Sequence, residues 1–165
     1  MLRPVLMAIA TLGAASALLP SQATLHVQPF HLDGPRPLAD QTAKTVIQDY
    51  VESWQTLHTA LGENRTDVID RDFVGTAKSN LMETIQDQAK AGVRTNYQDR
   101  SHDVQVVFYS PEGLSIELTD NVEYDQQVLD HDKVVTSQHV SAKYVVIMTP
   151  SETRWRVRIF QAVTN

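Results

Sequence analysis

The chain of 165 residues contains no cysteine and lacks the signatures of several common functional classes. Without cysteine, disulfide bonds, thiol catalysis and cysteine-based metal sites are excluded. The sequence has no phosphate-binding loop, nucleophile elbow, zinc-binding helix motif or dinucleotide fingerprint, so we expect no cofactor and no metal site. Positive charge is also scarce. The net charge of −6 makes nucleic acid an unfavourable partner.

Long apolar runs are missing except for one at the N-terminus, which has the pattern of a secretory signal peptide. Arg3 precedes the apolar run from Val5 to Leu19, and small residues follow it up to Ala23. The run is shorter than the roughly 20 residues that a membrane-spanning helix needs. We predict a signal peptide at residues 1–23 and an exported protein, periplasmic or extracellular, with no stable membrane span after cleavage. An uncleaved anchor is the alternative.

The rest of the chain divides into a leader and one domain. Residues 24–38 contain three prolines and one glycine without apolar periodicity, which is typical of an extended leader. Residues 39–165 are numerous enough for a single domain with its own core. We find no internal repeat and no low-complexity tract in them.

Two amphipathic helices are predicted at the start of this domain. Apolar residues recur at helical spacing from Ala43 to Leu61 and from Phe73 to Ala89. Asp40 is a candidate N-cap for the first helix, and glycines follow both helices. A short element at residues 66–72 separates them.

From Val104 onward the apolar period changes from 3.6 to 2, which indicates strands. Four strands separated by polar turns are predicted, at residues 104–108, 114–124, 134–148 and 155–163. The segment 92–100 is too polar to be assigned. Helices followed by a strand meander predict an α+β fold, with N-terminal helices packed on one face of a curved antiparallel sheet.

This order of elements, ending in the strand "RWRVRIF", resembles the nuclear transport factor two-like superfamily, also called the cystatin-like cone fold, over residues 39–163. Trp54 with the later Ala-Leu-Gly at 60–62, Tyr97 and Trp155 resemble the IMS-type domains of plastid division proteins and related bacterial accessory domains. The resemblance implies a cone-shaped domain that often dimerises through its sheet. The superfamily contains enzymes, such as ketosteroid isomerases and polyketide cyclases, and non-enzymatic binding domains, so the fold alone does not decide function.

The interior of such a cone receives the apolar helix stripe and the inner rows of the strands. Seven polar residues fall at these positions: Tyr50, His58, Asp120, Tyr124, Gln138, Tyr144 and Gln161. The predicted pocket lining consists of Trp54, Leu118, Gln138, Tyr144, Trp155 and Gln161. We interpret the tyrosines as core aromatics with their hydroxyls at the rim.

Asp120 is the unexpected residue, because it interrupts the apolar row of the stretch "SIELTDNVEY". Aspartate is depleted in regular strands, so the favoured interpretation is a β-bulge that turns Asp120 to water. In the alternative, Asp120 is a buried general base, assisted by Tyr50, Tyr124 or His58. For His58 itself, a core-edge position with a ring nitrogen bonded to backbone or water is favoured over pairing with a carboxylate.

Two charged groups are interpreted as surface features. Asp130, His131 and Asp132 are adjacent, and residues so close in sequence rarely converge on one metal ion, so they predict a solvated hairpin loop. The arginines at 154, 156 and 158 are expected to form cross-strand pairs with Glu117 and Glu123.

No pocket position requires a catalytic explanation, so we predict an exported, non-enzymatic domain that binds an unknown protein or a small apolar ligand. If the resemblance to the superfamily extends to assembly, the protein forms a homodimer. The alternative is a small cofactor-independent isomerase, dehydratase or cyclase that uses Asp120 as its base. A cavity of roughly 300 Å³ or more on which Asp120 and a tyrosine hydroxyl converge would favour the enzyme.

Overall fold

The computed structural model describes residues 22–30, 32 and 36–163, so all but the end of the predicted signal peptide lies outside the described residues. The strands are β1 (Thr24–Val27), β2 (Val93–Tyr109), β3 (Ile116–Asp130), β4 (Lys133–Pro150) and β5 (Trp155–Val163). The helices are α1 (Asp40–Gly62) and α2 (Gly75–Ala91), with a short 3₁₀ turn (Ile69–Arg71) between them.

The strands form one five-stranded sheet in the order β1-β2-β3-β4-β5. β1 pairs with β2 in parallel, and every other neighbouring pair is antiparallel. The helices pack on the inner face, so the predicted α+β class is confirmed. The prediction of four antiparallel strands is wrong in two respects: part of the predicted leader forms β1, and β2 already begins at Val93, inside the segment that was too polar to assign.

The helices follow the apolar pattern closely. The buried stripe of α1 includes Val46, Tyr50, Trp54 and Leu57, and it packs against the inner face of the sheet. Asp40 is the first residue of α1 and not its cap, since the N-cap position is Ala39. α2 ends where predicted, because Gly92 adopts the left-handed conformation (φ 71°) that closes a helix.

α2 begins two residues later than the apolar pattern suggested, because the preceding segment is held by the sheet edge. The amide of Val74 donates to the Val157 carbonyl at 2.9 Å, and the amide of Val157 donates to the Asp72 carbonyl at 2.8 Å. Phe73 therefore forms a bridge with Val157 and packs into the core in an extended conformation.

Two irregularities in β2 decide which side chains point inward. The pairing with β3 shifts between Asp99 and Ser101 and again between Val106 and Phe108. Each inserted residue exchanges the two faces of the strand. Regular alternation from Val104 and Val106 would place Phe108 in the inner row, but Phe108 is 48% exposed and Tyr109 is buried in its place.

The predicted charge pairs of the arginine row are not formed. Arg154 instead reaches the helices, where its guanidinium contacts Asp49 (3.6 Å), Glu52 (2.8 Å) and the buried Asp72. Thr56 also donates to Asp72, so α1, the 3₁₀ turn and the start of β5 are tied together. The arginine at 156 donates to the Asp70 carbonyl.

The hairpin between β3 and β4 lies where it was predicted. His131 and Asp132 form its two-residue turn with φ values of 45° and 69°, and both side chains are exposed. Across the described residues, no group of three or more His, Asp or Glu side chains is placed to hold a metal ion. Neither described helix is long and apolar enough to cross a membrane.

Candidate functional site

Asp120 lies in the core, and the bulge interpretation is wrong. The residue pairs in unbroken register with Val104 on one side and Tyr144 on the other, and it is fully buried. Its Oδ2 accepts the hydroxyl of Tyr50 at 2.8 Å and Nδ1 of His102 at 2.7 Å. Its Oδ1 accepts the backbone N–H of Asp103 at 3.0 Å. Three donors thus replace the water that this carboxylate loses on burial.

His102 links Asp120 to a second carboxylate. Its Nε2 lies 3.5 Å from Oδ2 of Asp99, and only 1% of the side chain is exposed. The rings of Trp54 and His102 pack in a T-shaped arrangement, with 5.0 Å between centroids. The irregularity at position 100 of β2 makes this possible, because it places both Asp99 and His102 on the inner face although they are three residues apart.

The two carboxylates determine the charge of His102. Burial by itself lowers the pKa of this imidazole, but the hydrogen bonds and charges of Asp120 and Asp99 outweigh it and raise the pKa to about 9. Burial likewise would raise the pKa of Asp99, yet the contacts with His102 and His58 lower it below its usual value. At neutral pH His102 is therefore an imidazolium that lies beside the ionised Asp99 and is hydrogen-bonded to Asp120.

The chain of contacts ends at His58, which is partly exposed. Its Nε2 donates to Oδ1 of Asp99 at 3.0 Å, and its ring stacks on Tyr97 with 5.9 Å between centroids. His58 thus pairs with a carboxylate, which was the less favoured expectation. Tyr50, Asp120, His102, Asp99 and His58 form one continuous series from the core to the surface, and we call this series the core relay.

The outer end of the core relay lines a cavity of about 440 Å³. Eight of the lining residues belong to the predicted mature chain: Leu25, Val51, Gln55, His58, Tyr97, Gln98, Asp99 and His102. The other two, Gln22 and Ala23, lie at the end of the predicted signal peptide and would be missing from a chain that begins at Thr24. Asp120 and Tyr50 do not line the cavity. Asp120 accepts hydrogen bonds from Tyr50 and His102, so Asp120 and Tyr50 influence the cavity only through His102. The titratable groups in the lining are His58, Tyr97, Asp99 and His102.

Tyr50, Tyr97 and Tyr144 keep their hydroxyl protons at neutral pH, because the pKa of each is raised, so each can donate a hydrogen bond. Burial, reinforced by the charge of Asp120, raises the pKa of Tyr50 well above its usual value. Burial also raises the pKa of Tyr97 to about 12 and that of Tyr144 further. The hydroxyls of Tyr124 and Tyr144 lie 3.4 Å apart, so these two aromatics pair with each other. Tyr50 is wholly buried, contrary to the expected position of its hydroxyl at the rim.

The predicted pocket lining is corrected by the structure. Gln138 and Gln161 are exposed, and the amide of Gln138 bonds to Gln126 on the neighbouring strand. Trp54 and Leu118 are buried in the core, and Tyr144 and Trp155 are partly buried against it. None of these six residues lines the cavity at the core relay.

Sequence reasoning missed Asp99 and His102, which carry the site. A signal for His102 was present, because it shares strand parity with Val104 and Val106, both fully buried. For Asp99 no such signal existed. Without the irregularity at position 100, the same parity would have placed Asp99 on the outer face.

Comparisons with known proteins show the fold and no more. No protein-family model matches the sequence, and no curated protein matches it significantly. The structure is similar to the intermembrane-space region of the chloroplast protein ARC6, with a TM-score of 0.63 and 12% identity over 79% of this chain and 100% of that one. It is also similar to Kfla4162 from Kribbella flavida, with a TM-score of 0.53 and 12% identity over 73% and 91%. The predicted α+β cone fold is confirmed, and at 12% identity these similarities show the fold alone.

Proposed function

We propose that the protein is an exported domain that binds a small molecule at the outer end of the core relay. The observation that carries the proposal is the cavity of about 440 Å³ that ends on the Asp99 carboxylate. This volume lies within the range of known small-molecule sites, roughly 300–1,000 Å³. Export is inferred from the pattern of residues 1–23. Intact mass of the exported protein tests it, since a mature chain beginning at Thr24 would exclude an anchor.

The protonation states favour binding over catalysis. A general acid or base works best when its pKa lies near the working pH. His102, with its pKa raised to about 9, holds its proton at pH 7, and Asp99, with its lowered pKa, remains ionised. Asp120 is not accessible to a ligand, because it is fully buried in the core and does not line the cavity. A fixed set of charges suits recognition.

The chemistry of the lining indicates the kind of ligand. Asp99 is an acceptor for a hydroxyl or an ammonium group. The stacked rings of His58 and Tyr97 offer an aromatic surface, and Val51 and Leu25 are apolar. The ligand is therefore a compound with a hydrogen-bond donor next to an apolar or aromatic body.

Benzylamine is a suitable first probe, because it combines a ring with a donor. We expect it to shift the NMR signals of His58, Tyr97 and His102, and benzoate to do so much less. Asp99→Asn should weaken benzylamine binding at least tenfold, since a hydrogen bond to a charged group contributes roughly 1.5–3 kcal/mol. Asp87→Asn, an exposed change on α2, is the matched control. Binding that Asp99→Asn leaves unchanged would refute the proposed site.

An acid–base enzyme is the second candidate, and the contact between His58 and Asp99 favours it. An imidazole oriented by a carboxylate at the edge of a cavity is a common general-base arrangement. In this version His58 replaces Asp120 as the base. The test is deuterium exchange of the acidic methyl protons of acetophenone in D₂O. Exchange faster with the wild-type protein than with His58→Gln would replace the binding proposal by the enzyme, and equal rates would reject the enzyme.

A further inference from the structure

A second cavity adjoins the site, between β1 and α1, and it is almost entirely apolar. Its volume is about 470 Å³. Its apolar lining consists of Leu25, Val27, Phe30, Ala43, Ile47 and Val51. We call this cavity the β1–α1 groove.

The groove exists because α1 does not fully cover the edge of the sheet. Leu25 pairs with His102, and Val27 pairs with Val104. Both partners are buried on the inner face of the sheet, so Leu25 and Val27 lie on the inner face as well. Their side chains nevertheless remain 45% and 41% exposed. Apolar residues on the inner face of a sheet are normally covered. On α1 the facing residues Ala43, Ile47 and Val51 are apolar as well, and no described residue covers the space between the two elements.

The groove adjoins the cavity at the core relay. Leu25 and Val51 line both, and the lining positions of α1 run as a stripe from Asp40 through Val51 to His58. One end of the combined space is therefore apolar, and the other ends on Asp99. The charged residues around it include the carboxylates of Asp40, Glu52 and Asp99 against Lys44 and His102, which disfavours an anionic ligand.

We propose that the β1–α1 groove binds the alkyl chain of an amphiphile whose hydrogen-bond-donating head group, an amine or a hydroxyl, lies at Asp99. The inference rests on the proposed function, because it extends the same site and names its ligand class. The combined space has the two features that such a molecule requires: an apolar trough for the chain and an acceptor at one end. A carboxylate head group would meet Asp99 and is excluded by charge.

The wild-type protein provides the first test, with hexylamine, octylamine and decylamine as probes below their micelle concentrations. Burial of each added methylene should increase affinity about fourfold, measured by calorimetry. Decanoate should bind far more weakly than decylamine. Affinity that does not change with chain length would overturn the inference.

Two variants test whether the alkyl chain lies in the β1–α1 groove. Val27→Asn should weaken decylamine binding about tenfold, because an amide in the groove replaces apolar contacts. Val163→Asn is the matched control, since this valine lies in the opposite edge strand and is equally exposed at 41%. Equal affinities of the two variants for decylamine would place the chain elsewhere. The chain-length series on the wild-type protein remains decisive if Val27→Asn unfolds β1.

Asp99→Asn separates the inference from the proposed function. If affinity rises with chain length but Asp99→Asn has no effect, the groove binds the chain while the head-group site is wrong. If Asp99→Asn weakens binding of benzylamine and every alkylamine equally, with no gain per methylene, the proposed function stands and the groove is refuted. Loss of both effects refutes both.

Discussion

Asp120→Ala is expected to lower the free energy of unfolding by about 4 kcal/mol, since removing one partner of a buried, hydrogen-bonded charge pair costs roughly 3–5 kcal/mol. The carboxylate accepts from Tyr50, from His102 and from the Asp103 amide. Alanine leaves all three donors without an acceptor in the core, where unpaired polar groups are costly.

Urea unfolding at pH 7 measures this loss. Asp120→Asn keeps an acceptor but removes the charge, so its stability should lie between wild type and Asp120→Ala. Asp125→Ala, on the same strand, is the control: it breaks a surface pair with Arg100 and should cost less than about 1 kcal/mol. Similar losses from Asp120→Ala and Asp125→Ala would mean that Asp120 does not hold a buried charge.

Stability is also expected to fall as pH rises from about 6.5 to about 9, and His102 is the cause. The folded-state pKa of His102 is about 9 against an ordinary value of 6.5. Because the folded pKa is the higher one, the stabilisation is fully present below pH 6.5 and is lost as pH rises through 9. A difference of this size corresponds to about 3 kcal/mol at most.

Urea unfolding between pH 6 and pH 10 measures this pH dependence. His102→Gln should remove most of it, and His139→Gln should not, because His139 is exposed on the sheet surface. An NMR titration of the His102 ring checks the cause directly. A His102 pKa near 6.5 in the folded protein would contradict an imidazolium at His102.

The helices and most strands could be predicted because each has one apolar face with a regular period. α1 carries its core stripe at helical spacing, and the inner row of β3 alternates from Ile116 to Tyr124. The same reasoning failed for the first half of β2. Its inner positions Thr95, Tyr97 and Asp99 are polar or amphipathic, and Tyr97 and Asp99 line the site. A strand that lines a polar site lacks the alternation that would reveal it.

At Asp120 the strand pattern was correct, but the residue preference used to interpret it was misleading. Strand parity alone placed it on the buried face, and statistical preference against buried aspartate argued for a bulge. Parity was correct. The preference did not apply, because Tyr50 from α1 and His102 from β2 supply its hydrogen bonds, from 70 and 18 residues away in sequence.

The amino-acid sequence by itself determined the α+β class, the two helices and the β3–β4 hairpin, because these depend on local period and turn chemistry. Only the tertiary structure decided the site. The irregularity at position 100 turns Asp99 inward, α1 brings Tyr50 and His58 to either end of the core relay, and β1 forms the open groove at the sheet edge. Each of these depends on how distant segments pair in space, and that pairing has no local period in the sequence.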